Sequence, residues 1–314
     1  MQLIKPNTQI DFLGKKKIAL LLSATIVALS IILVIAKGLN FGIDFTGGTL
    51  VETKFTQPPA ISSIRDAISP AGYGQAIIQE FGSPTEIMIR IQNGEDANSA
   101  QISTEVLDAL HGTFGMNAVE MRRVEFVGPQ VGDELTRAGI MAVLVAMIAI
   151  LIYVTFRFEF RFALGADAAL IHDVTIVLGI FALTGKEFTL PVVAAILTVI
   201  GYSLNDTIVV FDRIRERLAE NKKRKNPEDE IVICNQSINQ TLSRTLMTSL
   251  TTLLVVISLF LFGGEIIHDF AFALLVGILV GTYSSIFIAS PIMLALQGRF
   301  GMSEEDIKAM EARP

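Results

Sequence analysis

Asn205 and Asp206 interrupt an otherwise apolar stretch running from Leu190 to Phe211. A stretch of that length crosses a bilayer. An ionised carboxylate is costly at that depth; such groups usually face protein and carry function. The chemistry a lone intramembrane aspartate offers is binding and release of a proton. Arg244 lies near the start of another apolar stretch, Leu242–Phe262. The two stretches run antiparallel, so Arg244 and Asp206 are expected at similar depth. Arg244 would pair with the ionised carboxylate and let it go on protonation. A nearby cation favours the ionised form of an acid and burial the neutral form, and a proton switch needs that competition. Asn205 offers a neighbouring donor and acceptor. The bland alternatives are a solvated helix-end aspartate and an arginine snorkelling to the interface. A third stretch, Phe162–Thr184, carries Asp167, His172 and Asp173. Asp173 sits near mid-span and is read as a weaker extension of the relay, against plain helix–helix hydrogen bonding. Asp167 is nearer the end and reads as interfacial.

The elements that must hold these groups are six apolar stretches, by the rule of about 20 residues per crossing. They run Ile18–Ala36, Ala138–Phe156, Phe162–Thr184, Leu190–Phe211, Leu242–Phe262 and Phe270–Leu296. A chain with 51% apolar residues and mean hydropathy +0.56 is membrane-embedded rather than a large soluble core. Lys15, Lys16 and Lys17 precede the first stretch, but it is too long for a signal peptide and lacks a small-residue cleavage site. Basic residues crowd the N-terminal segment, Arg157 and Arg161, the run from Arg213 to Lys225, and Arg299, Lys308 and Arg313. The two short loops on the other side hold only Lys186. That bias places both termini in the cytoplasm. The sixth stretch carries Ala273, Gly277, Gly281, Ser285 and Ala289 at four-residue spacing, a seam for close helix packing. Cys234 stands alone, so no internal disulfide forms. The chain shows no Walker A loop, dinucleotide fingerprint or His-Glu-x-x-His pair, and its histidines are scattered. We therefore expect neither enzyme activity, cofactor nor metal, and no nucleic-acid partner.

The segment between the first two spans, residues 37–137, reads as a small outer domain. Thr49–Phe55 alternates like a strand, and Pro59–Ile68 has helical spacing and stops near Pro70. Gln75–Phe81 and Glu86–Gln92 are strands joined by a Gly82-Ser83-Pro84 turn; Asn98–Phe114 is an amphipathic helix; Val119–Val127 is a last strand. The order βαββαβ is that of a ferredoxin-like split βαβ, an α+β fold that hosts many functions. The remaining segments are residues 1–17 as cytoplasmic N-terminus and 18–36 as first span. Residues 138–296 hold spans two to six, with a cytoplasmic loop at 212–241, and 297–314 form a tail. Within that loop, Asp212–Lys225 reads as a charged helix ended by Pro227, and Asn235–Ser243 as a polar-faced helix re-entering the membrane. Ser303–Pro314 reads as a short capped helix.

Four motifs carry a resemblance. They are Phe41–Thr49 (FGIDFTGGT), Gly201–Glu216 (GYSLNDTIVVFDRIRE), Ser237–Ser249 (SINQTLSRTLMTS) and Gly281–Pro291 (GTYSSIFIASP). In order, and along essentially the whole chain, they resemble the SecF branch of the SecD/SecF family. The resemblance implies six helices forming half of a resistance-nodulation-division (RND) type fold. A SecD subunit would supply the other half and the larger outer domain. It implies a multi-pass protein of the bacterial inner membrane beside the SecYEG translocon, with YajC, acting on unfolded exported polypeptide. Such complexes use the proton-motive force to assist translocation. The resemblance puts the family's membrane carboxylate on Asp206 and its membrane arginine on Arg244, with the partner carboxylate in SecD. It makes Gly42, Asp44, Gly47 and Gly48 a joint after the first span, where glycine permits unusual backbone angles. A proton crossing about 150 mV releases about 3.5 kcal/mol, enough to bias a two-state tilt but not to unfold a domain. Two further readings stand beside this one. Half of a small-molecule exporter would need an aromatic-lined cleft in the outer domain that the sequence does not show. A non-catalytic assembly scaffold would need no relay. Sodium in place of a proton would take oxygen ligands from Asp206, Asn205 and Thr207, against the repulsion of Arg244.

Overall fold

The structure is a computed structural model that describes residues 9–92 and 99–296. Lys5, Arg299, Lys308, Arg313 and the helix expected over Ser303–Pro314 lie outside the described residues. In chain order the elements are α1 (Lys16–Lys37), β1 (Asn40–Phe41), α2 (Ile43–Thr46), β2 (Gly48–Phe55), α3 (Ile61–Ile68), β3 (Ile77–Phe81), β4 (Ser83–Ile91), α4 (Ser99–Phe114) and β5 (Val119–Val127). There follow α5 (Pro129–Arg157), α6 (Phe160–Thr184), β6 (Glu187–Phe188), α7 (Leu190–Lys222), α8 (Glu230–Phe262), α9 (Glu265–Ser284), a π-helical turn (Ser285–Ala289) and α10 (Ser290–Ala295). The chain divides into two compact units: Phe41–Met141 with Glu187–Leu190, and Met1–Asn40 with Ala142–Lys186 and Pro191–Pro314.

In the smaller unit four strands pair in the order β3-β4-β2-β5, every neighbour antiparallel. Alternation along β2 sends Val51 and Phe55 into a core shared with Ile87 and Ile89 of β4. Ile64 and Ile68 of α3 and Ile102, Val106 and Leu110 of α4 recur at helical spacing and cover that face. Burying each such side chain contributes about 1.5–3 kcal/mol. The β3–β4 connection is tighter than the sequence spacing predicts. Phe81 pairs with Ser83, so Ser83 and Pro84 already belong to β4. Gly82 alone makes the turn, at φ +73°, a conformation costly for any other residue.

Among the described residues, the larger unit contains the bulk of six helices long and apolar enough to cross a membrane. Their outward faces are apolar: Ile35 of α1 and Phe262 of α8 are 79% and 85% exposed, which suits lipid rather than water. Within the segment 212–241 both expected helices are present, as continuations of the spans on either side. α7 runs unbroken to Lys222, laced by the pairs Arg213–Glu216, Arg215–Asp212 and Arg217–Glu220. α8 starts at Glu230, capped by Asp229, whose side chain accepts from the Ile231 amide at 3.0 Å. The polar face of α8 has a use too. Asn235 and Asn239 bond the backbone at Ile10, and Asn235 also accepts from the Phe12 amide, which ties down the segment before α1. The sixth span is not one regular helix. Pro291 lacks an N–H and its ring crowds the carbonyl four residues back, and the widened turn falls at that place.

Candidate functional site

Close packing of α9 on α7 sets the site. A Cβ on Gly277 would lie 2.2 Å from Cγ2 of Val199, and one on Gly281 3.0 Å from Cβ of Ser203. Both partners step by four residues, so the two helices run parallel in register. One turn further on, four residues past Gly281 and three past Ser203, Ser285 meets Asp206: its hydroxyl donates to Asp206 Oδ2 at 2.7 Å. The small-residue stripe is therefore a seam, and Ser285, expected only to pack, bonds the carboxylate.

Asp206 is buried, with 5% of its surface exposed. Thr245 of α8 faces the same carboxylate, although its buried Oγ1 stops short of hydrogen-bond distance to any partner. Arg244 does not do what the sequence predicts. Its side chain is exposed and lines an open cleft with Asp212, Arg213, Arg215, Glu216 and Gln240. No ion pair joins it to Asp206 among the described residues. Arg244 is at the depth of Asp206 but on the other face of α8: one residue is about 100° of helix, and Thr245 holds the inward position. Asn205 is likewise exposed and points elsewhere from Asp206, so the oxygen set Asp206–Asn205–Thr207 is not assembled.

Asp173 of α6 is 1% exposed. Its Oδ2 accepts from Ser203 of α7 at 2.6 Å and from Ser284 of α9 at 2.8 Å. Its Oδ1 lies 2.9 Å from Nδ1 of His172. The His172 ring stacks on Tyr283, whose hydroxyl meets Ser23 of α1 at 3.0 Å. A second hydroxyl chain joins α7, α8 and α9 through Tyr202, Ser249 and Thr282. Asp167 is half-buried, with one carboxylate oxygen lacking a partner. The sequence reading missed Ser203 and Ser284. Ser203 stands one turn before Asp206 on the same face, and that spacing was the available signal. Nothing in a single sequence registers Ser284 against α6.

The glycine-rich signature lies in the smaller unit. Gly47 and Gly48 have φ +65° and +122°. A Cβ on Gly48 would meet the Ile91 carbonyl at 2.4 Å, and one on Gly47 the Pro129 Cα at 2.9 Å. Both conformation and space demand glycine there. Asp44 is more than a turn residue: its Oδ2 accepts from the Leu190 amide at 2.8 Å, capping the first turn of α7. Gly42 donates to the Phe188 carbonyl at 2.9 Å.

Comparison with known proteins bears on what this arrangement does. Residues 106–299 match the family model described as protein export membrane protein SecD/SecF, C-terminal, and residues 32–59 match that of the SecD/SecF GG motif. The chain is 53% identical to the protein translocase subunit SecF of Magnetococcus marinus, over 94% of each chain. It is 51% identical to that of Vibrio alginolyticus, over 94% of this chain and 92% of the relative. The crystal structure of SecDF, a translocon-associated membrane protein from Thermus thermophilus, superposes with a TM-score of 0.82 at 37% identity. That match covers 95% of this chain and 40% of the longer one.

Proposed function

Because the chain belongs to the SecD/SecF family as a SecF-type translocase subunit, we propose that it couples the proton-motive force to protein translocation, with Asp206 as its proton-binding group. The observation that carries this is the setting of Asp206. It is a buried carboxylate bonded by a hydroxyl, with no lysine or arginine at ion-pair distance among the described residues. A carboxylate locked to a cation stays ionised; one bonded by a hydroxyl is satisfied in either state, because a hydroxyl both donates and accepts. In this reading Arg244 serves the deprotonated state, reached by a turn of α8 that exchanges it for Thr245. The partner carboxylate comes from a SecD subunit, which completes an RND-type fold. SecYEG and YajC are the neighbours, and unfolded exported polypeptide is the substrate. The protein sits in the inner membrane with both termini in the cytoplasm, the outer domain at 37–137 and the inner loop at 212–241. The strand order of the smaller unit supports a ferredoxin-like periplasmic domain, with Gly42, Asp44, Gly47 and Gly48 as its joint.

The test is translocation into inverted vesicles carrying Asp206→Asn together with the SecD-type partner, with and without an imposed proton gradient. The expected result is an assembled complex that the gradient no longer stimulates. A variant stimulated as well as wild type overturns the relay and leaves an assembly scaffold.

A further inference from the structure

Two buried carboxylates are served by consecutive serines. Ser284 donates to Asp173 and Ser285 to Asp206. Each serine also has a second acceptor within its own helix. Ser284 Oγ lies 3.1 Å from the Gly281 carbonyl, and Ser285 Oγ lies 3.1 Å from the Thr282 carbonyl. A hydroxyl has one proton to give and lone pairs to accept with. When the carboxylate is ionised, its serine donates to it. When the carboxylate is protonated, the acid O–H donates to the serine oxygen, and the serine turns its own proton to the backbone carbonyl. Either way neither the serine nor the carboxylate it serves is stranded without a partner.

His172 extends one of these pairs. Its Nδ1 shares a hydrogen with Asp173, while Nε2 is buried without a partner in a side chain only 6% exposed. With the proton on Nδ1, Nε2 is an unfilled acceptor. A proton reaching Nε2 makes an imidazolium. The Nδ1 proton then passes to Asp173 Oδ1, leaving a neutral acid and a neutral ring protonated at Nε2; a half-turn of the carboxyl exchanges its two oxygens and brings the acid O–H to Ser284. One proton enters, one charge is neutralised, and the reverse order releases it.

We propose that Asp173 with His172 is a second proton-holding site of this chain, and that Ser284 and Ser285 are hydroxyl switches that let the two carboxylates change charge without losing partners. The groups facing it are few. α9 presents Tyr283, stacked on His172; α1 presents Ser23 and the Ala19 carbonyl, reached through the Tyr283 hydroxyl. α7 presents Ser203 and, a turn later, Asp206. Along α6 itself stands Asp167. No lysine or arginine pairs with Asp173 among the described residues. The site's use in transport rests on the proton-driven reading above; its chemistry does not.

The test is infrared difference spectroscopy across a pH titration of the full chain with its SecD-type partner in lipid vesicles. It follows the carbonyl stretch of protonated carboxylic acids. Asp173→Asn should remove one titrating band that Asp206→Asn leaves in place. Ser284→Ala should move that band's midpoint up by about one pH unit, since a donor to the ionised form is lost, and should leave the Asp206 band where it was. Identical titrating bands in wild type and Asp173→Asn overturn the proposal. If Asp173→Asn fails to assemble, Ser284→Ala decides alone, and an unmoved midpoint overturns it. The Asp206 reading is judged separately, by gradient-stimulated translocation, so either can fail without the other.

Discussion

The two units bury polar groups under different rules. In the smaller unit the interior between sheet and helices is apolar, and its buried Thr53 is satisfied by a fixed backbone carbonyl, that of Ile87 at 3.2 Å. In the larger unit the interior holds His172, Asp173, Ser203, Asp206, Ser249, Ser284 and Ser285, bonded mainly to one another across helices. Other hydroxyls of this unit, buried ones such as Ser237 and Thr241 and outer ones such as Thr25 and Ser258 alike, bond carbonyls of their own helices. A packed sheet gains from one arrangement of every group. A relay gains from partners that have a second place to go. On the proton-coupled reading proposed above, the difference separates the part of the chain that stays fixed from the part that changes charge.

The sharpest way to break that contrast is to open the apolar core. Leu110 is fully buried against α3 and the sheet. Leu110→Ala should destabilise the sheet by about 2–5 kcal/mol, the transfer loss plus the cavity left behind. Hydrogen exchange of the β2 and β4 amides in the full chain reads this directly, and unchanged protection would mean that this core does not hold the sheet. A smaller effect is expected at the seam of the larger unit. Gly277→Ala drives a methyl into Val199, a β-branched side chain with little rotamer freedom in a helix, and should cost about 1–3 kcal/mol. Adding Val199→Ala should recover much of that loss in thermal unfolding of the complex. No recovery would show that the seam tolerates the methyl elsewhere and that the contact does not set the register of Ser285 on Asp206.

How far these features can be read from sequence follows the same divide. The period-2 alternation of Thr49–Phe55 and the spacing of Ile102, Val106 and Leu110 are local, so strands and helices of the smaller unit were readable almost to the residue. The Ser83-Pro84 start of β4 was not, because a one-residue glycine turn looks like a three-residue one until the register is known. In the larger unit the six spans, Asp206 and Asp173 stand out because charge in an apolar run is conspicuous. Their partners do not. Whether Arg244 or Thr245 faces Asp206 depends on the rotation of α8 by one residue, and Ser284 and Ser285 reach Asp173 and Asp206 only through the crossing of α6, α7 and α9. Rotations and crossings are properties of packing, and a single sequence has no coordinate for them.

The smallest expected effect tests the fixed side of the comparison by pH. Tyr73 donates to Glu105 Oε2 at 2.5 Å. Burial, and then this bond to Glu105, push the Tyr73 phenol from its ordinary 10.0 up to about 12. The Tyr73 hydroxyl, and then Gln101, hold Glu105 below the usual carboxylate range. The signs follow from linkage. A phenol that ionises later when folded adds stability that is complete below pH 10.0 and is lost as pH climbs toward about 12. A carboxylate that protonates later when folded adds stability above its ordinary value of 4.5, lost as pH falls through the lowered one. In an absorbance titration of the folded chain, one of its four tyrosines should therefore ionise late. Tyr73→Phe should delete that step. Glu105→Gln should bring it earlier but not to the ordinary value, because burial is the larger cause and survives the substitution. A late step that persists in Tyr73→Phe would mean that Tyr73 is not its source, and the smaller unit would then lack the fixed polar pair that sets it apart from the larger one.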